Sequence, residues 1–210
     1  MSDPGAALAA AGAVRVPVRE LELFFLRGFL DAEACARLIE QVDARRRPST
    51  IADDVGEAAF RTSETGDLDH LDPLVDALDR KLCALLGIGP AFGEPLQGQR
   101  YAPGQEFKPH TDTFEPGRHD YFLHCADSGN RSWTAMIYLN DVEDGGATRF
   151  KAIGKTIHPE CGKLVAWNNL LSDGRPNPLT LHQGMKVRRG LKYVLTKWFR
   201  ERQYVPDGNR

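Results

Sequence analysis

A histidine and an aspartate, separated by one residue, end the stretch YAPGQEFKPHTD at positions 101–112. On an extended strand, residues i and i+2 point to the same side, so His110 and Asp112 can present an imidazole and a carboxylate to one point. With a second histidine from elsewhere, such a pair forms the facial triad of non-haem Fe(II) sites, which leaves coordination positions open. An isolated H-x-D pair is more often a hydrogen-bonded pair near the surface, so these two residues alone leave both interpretations open.

A second histidine and a lysine follow further along the chain. His182 lies in the strand-like segment TLHQG, and Lys192 lies in GLKYVLTKWF, whose alternating character predicts a strand. The RRG sequence between them predicts a turn, and with it that His182 and Lys192 lie on neighbouring antiparallel strands. Alternation places four side chains on one face, those of Lys192, Val194, Thr196 and Trp198. An inward lysine beside a metal is costly unless an anion meets it, and a dicarboxylate co-substrate would supply that anion.

Composition sets the broad class of the protein. The chain has 210 residues, 41% of them apolar and 27% charged, which predicts one packed globular domain after a flexible tail over residues 1–20. A net charge of -2 gives no general attraction to nucleic acid or anionic membranes. The scattered cysteines, Cys35, Cys83, Cys125 and Cys161, have no zinc-like spacing and predict free thiols in a cytoplasmic protein.

Two helices and a run of strands can position the candidate residues. Amphipathic helices are predicted from Asp31 and from Pro73 to near Gly87, with a loop over residues 46–72 between them. Beyond Gly89, short segments rich in aromatic and β-branched residues predict a sandwich or barrel supported by helices. The predicted strands cover 96–101, 107–111, 132–139, 147–150, 163–168, 180–183 and 192–200. Gly145 and Gly146 predict a tight turn with positive φ angles.

Four motifs, in this order and at this spacing, resemble the prolyl 4-hydroxylase family of Fe(II)- and 2-oxoglutarate-dependent dioxygenases. They are LQGQRYAPGQEFKPHTD at 96–112, NRSWTAMIYLNDVEDGGATRF at 130–150, LVAWNN at 164–169 and LHQGMKVRRGLKYVLTKWF at 181–199. The helical segments FLDAEACARLIE and RTSETGDL also resemble that family, so the likeness covers roughly residues 24–202. It implies a mainly β domain over 21–210, with helical support at about 21–90 and a double-stranded β-helix (jelly-roll) core at about 91–203.

The resemblance also assigns roles to individual residues. It implies an Fe(II) ion held by His110, Asp112 and His182, with Lys192 binding the distal carboxylate of 2-oxoglutarate. The implied further contacts are Tyr101 and Thr148 for the co-substrate, and Arg131 and Trp198 for the substrate groove. The remaining histidines, His70, His119, His124 and His158, are expected to be structural or surface residues, and residues 113–130 to form a lid or substrate loop.

The activity implied is hydroxylation of an unactivated C–H bond, with dioxygen and 2-oxoglutarate as co-substrates and ascorbate as a supporting reductant. The substrate implied first is a proline in a protein or peptide, and neither nucleic acid nor a membrane is expected as a partner. Many family members carry a tyrosine near the substrate where this chain has Phe107, so a free amino acid or other small molecule stays open as substrate. Two other classes also stay open, a non-catalytic jelly-roll binding protein and a hydrolytic zinc enzyme.

Overall fold

Three helices precede the β-rich part of the chain in a computed structural model, which describes residues 3–49 and 60–206. They are α1 (Pro4–Ala10), α2 (Ala32–Ala44) and α3 (Pro73–Leu86). The side chain of Asp31 caps α2 and that of Asp72 caps α3, each by accepting main-chain N–H hydrogen bonds of the first turn. Gly87 ends α3 in the left-handed conformation, with φ of 65°. The two predicted amphipathic helices are therefore confirmed.

The N-terminal segment is packed rather than loose. Asp3 caps α1, and Leu8 of this helix is fully buried in the core formed with α3. Strand β1 (Val14–Arg15) then pairs with β2 (Leu23–Leu26). The prediction of a flexible tail is thus wrong for residues 3–20, because the buried side chains of Leu8 and Val16 and the pairing of the edge strand β1 with β2 fix an otherwise alanine-rich stretch.

An eight-stranded antiparallel sheet forms the middle layer of the fold. Besides β1 and β2 it contains β3 (Arg46–Pro48), β4 (Glu64–Asp67), β5 (Gln97–Tyr101), β7 (Arg131–Tyr138), β11 (Leu164–Asn168) and β14 (Lys192–Arg200). The strand order is β1-β2-β11-β7-β14-β5-β4-β3. The prediction of a loop over residues 46–72 is wrong where β3 and β4 extend the sheet edge, and residues 50–59 lie outside the described part of the chain.

A smaller sheet faces the large one. It contains β6 (Phe107–His110), β9 (Thr148–Phe150), β10 (Lys155–Ile157) and β12 (His182–Gly184), in the order β10-β9-β12-β6. A third pair consists of β8 (Asp144–Gly145) and β13 (Val187–Arg189). Gly145 and Gly146 have the predicted positive φ angles, 81° and 68°. The predicted loop at 113–130 contains a further helix, α4 (His119–Cys125).

Two hydrophobic cores separate these layers. One lies between the large sheet and the helices, and it contains Leu38 of α2, Leu82 of α3 and Leu195 of β14. The other lies between the two sheets and contains Met136 and Phe150. The four cysteines are free thiols. In the described part of the chain, no helix has both the length and the apolar character needed to cross a membrane.

The strand β14 contributes side chains to both hydrophobic cores. All nine of its residues are buried, and alternate side chains point to opposite faces of the sheet. Lys192, Val194, Thr196 and Trp198 face the space between the sheets, as predicted. His182 and Lys192 are not on neighbouring strands, however: β12 and β14 belong to different sheets, so the two residues face each other across that space.

Candidate metal centre

The register of the small sheet places two histidines side by side. His182 of β12 lies directly opposite His110 of β6, with the ring centroids 4.3 Å apart. Asp112 follows two residues after His110, and its Oδ1 lies 3.9 Å from His110 Nε2. One donor atom of each of the three side chains lies within 4.8 Å of the other two. Two imidazoles and a carboxylate therefore converge at one point, a donor set suited to a divalent transition metal.

Both histidines are oriented by their own strands. Nδ1 of His110 lies 2.8 Å from the carbonyl oxygen of Lys108, and Nδ1 of His182 lies 2.8 Å from that of Thr180. A carbonyl only accepts, so each Nδ1 carries the proton and each Nε2 keeps its lone pair for a metal. Burial, followed by the neighbouring His182, lowers the pKa of His110 to about 3. His110 is therefore neutral at physiological pH, the form that binds a metal.

The carboxylate of Asp112 is oriented by side chains instead. Thr134 of β7 donates its hydroxyl proton to Asp112 Oδ2 at 2.7 Å, and Asn169 Nδ2 donates to Thr134 Oγ1 at 2.8 Å. Burial alone would raise the pKa of Asp112, but His182 and His110 lead the opposing interactions, and the pKa is lowered overall. The carboxylate is therefore an anion in the folded protein, ready to bind a cation.

Lys192 faces this cluster as a buried cation. Its side chain is only 2% exposed, with Nζ 4.9 Å from the ring centroid of Tyr101 and 5.5 Å from that of Tyr138. Within the described ranges, no carboxylate forms an ion pair with this ammonium group. Burial lowers its pKa to about 7. An unpaired buried lysine is costly, and an anionic ligand in the same cavity would remove that cost.

The cavity between Lys192 and the three candidate ligands is rich in hydrogen-bond donors. It encloses about 400 Å³, including its open mouth. The indole N–H groups of Trp167 and Trp198, both of which line it, are buried and have no hydrogen-bond partner among the residues that the structure describes. The Thr148 hydroxyl accepts from Tyr138 at 2.6 Å, and its own proton meets only the weakly accepting sulfur of Met136 at 3.9 Å. Unused donors beside an unpaired lysine fit a dicarboxylate such as 2-oxoglutarate.

Tyr101 also lines the cavity, but its hydroxyl proton is already engaged. It donates to Gln99 Oε1 at 2.8 Å, and Gln99 in turn donates to Thr196 at 3.3 Å. The ring of Tyr101 packs beside the Lys192 ammonium group. Of the two predicted co-substrate contacts, the structure therefore leaves a poorly satisfied proton on Thr148 and a well satisfied one on Tyr101.

The two predicted substrate residues form one stack. The Arg131 guanidinium lies 4.0 Å from the ring centroid of Trp198, and its Nη1 lies 3.4 Å from the main-chain oxygen of Asp112. Arg131 is also paired with the buried Glu94 through two hydrogen bonds of 2.7 and 2.8 Å. Any contact of Arg131 with a substrate would therefore involve a guanidinium already held by a carboxylate.

Sequence reasoning overlooked four residues near the site. Glu94, Thr134 and Asn169 reach the site through pairings between distant segments, although alternation along 132–139 could have pointed Thr134 inward. Arg61, in the quoted RTSETGDL segment, has its guanidinium 5.0 Å from the ring centroid of Phe107. Phe107 stacks on His110 with ring centroids 3.5 Å apart. The tyrosine-to-phenylalanine difference from many family members thus lies directly against a candidate ligand.

Comparisons with known proteins identify the family of this chain. The sequence model described as the 2OG-Fe(II) oxygenase superfamily matches residues 96–200. The prolyl 4-hydroxylase subunit alpha-1 of Rattus norvegicus is 34% identical over 146 residues, which cover 69% of this chain and 27% of the relative. The chain thus matches less than a third of the length of that curated relative.

Solved structures share the fold. A viral collagen prolyl hydroxylase from Paramecium Bursaria Chlorella virus-1, in its 2OG complex, is similar with a TM-score of 0.68 and 24% identity, covering 87% of this chain and 96% of that one. A prolyl hydroxylase from Trichoplax adhaerens, in complex with a hypoxia inducible factor oxygen degradation domain peptide fragment, has a TM-score of 0.63 and 15% identity, with 85% and 83% covered. The predicted mainly β, jelly-roll fold is confirmed, and the chain belongs to the 2OG-Fe(II) oxygenase superfamily.

Proposed function

We propose that this protein is an Fe(II)- and 2-oxoglutarate-dependent dioxygenase that hydroxylates a proline in a protein or peptide. The observation that carries the proposal is a buried, unpaired lysine facing a His-Asp-His cluster across one cavity. A metal-binding end and a carboxylate-binding end are what a chelating keto acid with a distal carboxylate requires. The prolyl hydroxylases among the relatives, one of them with a bound peptide, support a peptidyl substrate.

Different residues of the chain would bind the metal and the co-substrate. His110, Asp112 and His182 would hold the metal, and Lys192 and Thr148 would bind the distal carboxylate of 2-oxoglutarate. When bound, Fe(II) with 2-oxoglutarate and dioxygen supplies the oxidising power to insert oxygen into a C–H bond, with release of succinate and carbon dioxide. Lys192 and Thr148 would orient the co-substrate by charge-assisted and hydroxyl hydrogen bonds, and the apolar walls of the cavity would restrict water.

The test is succinate formation by protein loaded anaerobically with Fe(II) and then exposed to oxygen, with and without proline-containing peptides. Peptide-stimulated succinate, together with one added oxygen atom on the proline, is the expected result. The matched substrate control replaces that proline with alanine. The absence of succinate under every condition, despite bound iron, would contradict the proposal.

A free amino acid or other small molecule is the second substrate class. Phe107, which stacks on His110, lacks the hydroxyl group that many family members carry near the substrate at this position. A peptide substrate would lose a hydrogen bond there, whereas a small apolar substrate would not. Succinate formation stimulated by small molecules and unaffected by every proline peptide would favour this class over the first.

Two further properties are part of the proposal. Ascorbate is expected to prolong turnover, and a cytoplasmic location follows from the free thiols expected in a reducing compartment. Turnover with and without ascorbate, and fractionation of cells that express the protein, test these two points separately.

A further inference from the structure

We infer that Thr134 and Asn169 are positioning residues that hold the Asp112 carboxylate so that only one of its oxygens faces the metal position. The two side chains and the carboxylate form a hydrogen-bonded relay, Asn169 to Thr134 to Asp112, across three separate segments of the chain. The inference rests on the proposed metal site and adds to it the means by which its single carboxylate is oriented.

The direction of the relay follows from donor and acceptor chemistry. An amide Nδ2 can only donate, so the bond between Asn169 and Thr134 uses a lone pair of the Thr134 oxygen. The single hydroxyl proton of Thr134 is then directed to Asp112 Oδ2, 2.7 Å away. Oδ2 is engaged by this bond, while Oδ1 is the oxygen 3.9 Å from His110 Nε2.

The relay is closed to water and anchored to the main chain. Thr134 and Asn169 are both fully buried. The main-chain N–H of Asn169 donates to the Ser132 oxygen at 2.7 Å, and the main-chain oxygen of Asn169 accepts from Asn177 at 2.9 Å. The main chain of Asn169 is therefore fixed, and its side-chain amide could leave Thr134 only by losing a hydrogen bond in a place where water cannot replace it.

Asp112 depends on this relay more than the histidines depend on any side chain. Each histidine is oriented by a main-chain carbonyl of its own strand, which side-chain substitution leaves in place. The Asp112 carboxylate receives its orienting hydrogen bond from Thr134, which a single substitution removes. A carboxylate held through Oδ2 offers one oxygen instead of two, which preserves open positions around a metal.

The experiment measures Mn(II) affinity of metal-free protein by calorimetric titration, with wild type, Thr134→Val, Thr134→Ser and Ser132→Ala. Thr134→Val keeps the shape of the side chain and removes the hydroxyl, so Mn(II) binding is expected to weaken by roughly 10–100-fold. Thr134→Ser restores the hydroxyl and is expected to stay near wild type. Ser132→Ala deletes a hydroxyl on the same strand that donates to the main chain of Phe199 instead of joining the relay, and the Mn(II) affinity of this variant is expected to be unchanged. Wild-type affinity in Thr134→Val would overturn the inference.

A second variant keeps the test decisive if Thr134→Val does not fold. Asn169→Leu removes the donor that directs the Thr134 hydroxyl, and a loss of about tenfold in Mn(II) affinity is expected. In the Thr134→Val background, Asn169→Leu is expected to add nothing, because both act through one relay. Additive losses, or unchanged affinity in Asn169→Leu, would count against the relay.

The same titrations separate this inference from the proposed metal site. If wild type and His182→Ala both fail to bind Mn(II), the metal site itself is wrong. If wild type binds, His182→Ala does not, and the Thr134 and Asn169 variants bind like wild type, the metal site stands and only the relay is refuted.

Discussion

The two sheets contribute to the cavity in different ways. The small sheet supplies both histidines and Thr148 from strands of three or four residues, and the histidines are oriented by carbonyls two residues earlier. The large sheet supplies Lys192 and Trp198 from β14, a strand of nine buried residues whose other face packs on the helices. The proposed metal ligands thus lie on or just after short strands, whereas the face that carries Lys192, proposed to bind the anion, belongs to a long buried strand.

Because of this difference, substitutions in the two sheets are expected to affect activity and stability differently. The two histidines of the small sheet are oriented by main-chain carbonyls, so replacing either side chain leaves the groups that orient the other in place. On β14, each substitution changes either the cavity face or the helix-packed face. The comparison therefore predicts that ligand variants lose chemistry and keep the fold, and that β14 variants affect stability in a direction set by the face on which they lie.

The largest effect is expected for His182→Ala. Loss of a direct ligand is expected to reduce Mn(II) affinity and turnover by more than the roughly 100-fold that an outer-shell partner costs. The thermal unfolding midpoint is expected to stay near wild type. His158→Ala, which removes an exposed histidine outside the site, is the matched control. Unchanged metal affinity in His182→Ala would remove this residue from the ligand set.

A pair of lysine substitutions on β14 tests the two faces directly. Lys192 has no ion-pair partner among the described residues, whereas the buried Lys197 pairs with the partly buried Asp79 of α3. Lys192→Met is expected to raise the KM for 2-oxoglutarate by roughly 10–100-fold, from a lost charge-assisted contact, while stabilising the ligand-free protein. Lys197→Met leaves a partly buried acid unpaired and is expected to lower the free energy of unfolding by about 3 kcal/mol. Chemical denaturation of both variants measures the two changes in the free energy of unfolding. Changes of the same sign would contradict the difference expected between the two faces of β14.

The pH dependence of co-substrate binding follows from Lys192. The pKa of this group is lowered from 10.5 to about 7 in the ligand-free protein, so the amine is mostly neutral at pH 8.5. A bound carboxylate favours the ammonium form, so binding is expected to take up a proton. Affinity then falls by up to about tenfold per pH unit above pH 7.

Calorimetric titration of 2-oxoglutarate at pH 8.5, in two buffers of different ionisation enthalpy, measures that proton uptake. Lys192→Met is expected to show none. The pKa of Lys192 is lower in the folded protein than in the unfolded chain, so the unfolded chain holds one more proton between pH 7 and 10.5. The stability of the ligand-free protein is therefore expected to rise with pH in this window. Proton release on binding would contradict the assignment of Lys192.

The smallest effects compare two hydroxyl groups, one from each sheet. The proton of Thr148 meets only a sulfur atom, whereas that of Tyr101 is bonded to Gln99. Thr148→Val is therefore expected to raise the KM for 2-oxoglutarate by roughly tenfold, and Tyr101→Phe by less than about threefold. Steady-state kinetics at saturating substrate measure both values. A larger effect at Tyr101 would mean that its hydroxyl group leaves Gln99 when the co-substrate binds.

Two parts of the site could be predicted from the sequence because each depends on residue spacing within one short segment. His110 and Asp112 are two residues apart, and alternation along residues 192–200 placed Lys192 with Trp198 on one face, as the structure has them. Three residues were missed because their contacts join segments far apart in the chain, and no short segment of sequence indicates such long-range pairing. They are Glu94, Thr134 and Asn169.

Two errors in the predicted fold also arise from strand pairing between segments that are far apart in the chain. Strand β4 reads ETGD, a polar segment that forms a strand because β5 pairs with it. Its Gly66 also lets the backbone pass close under α2, since a Cβ there would lie 2.6 Å from the Val42 oxygen. The hairpin expected between His182 and Lys192 does not form, because β13 intervenes and pairs with β8. The first error thus came from the polar composition of the segment, and the second from the nearness of the two residues in the chain.

The alternation of β14 has a consequence for how this protein can diverge. Lys192 and Lys197 are five residues apart, so they lie on opposite faces, one towards the cavity and the other towards Asp79 of α3. One inserted or deleted residue between them would turn one of the two to the wrong side. Length changes within β14 are therefore expected to be excluded among functional homologues, whereas a change at Gly190, before the strand begins, would leave the alternation of the two lysines intact.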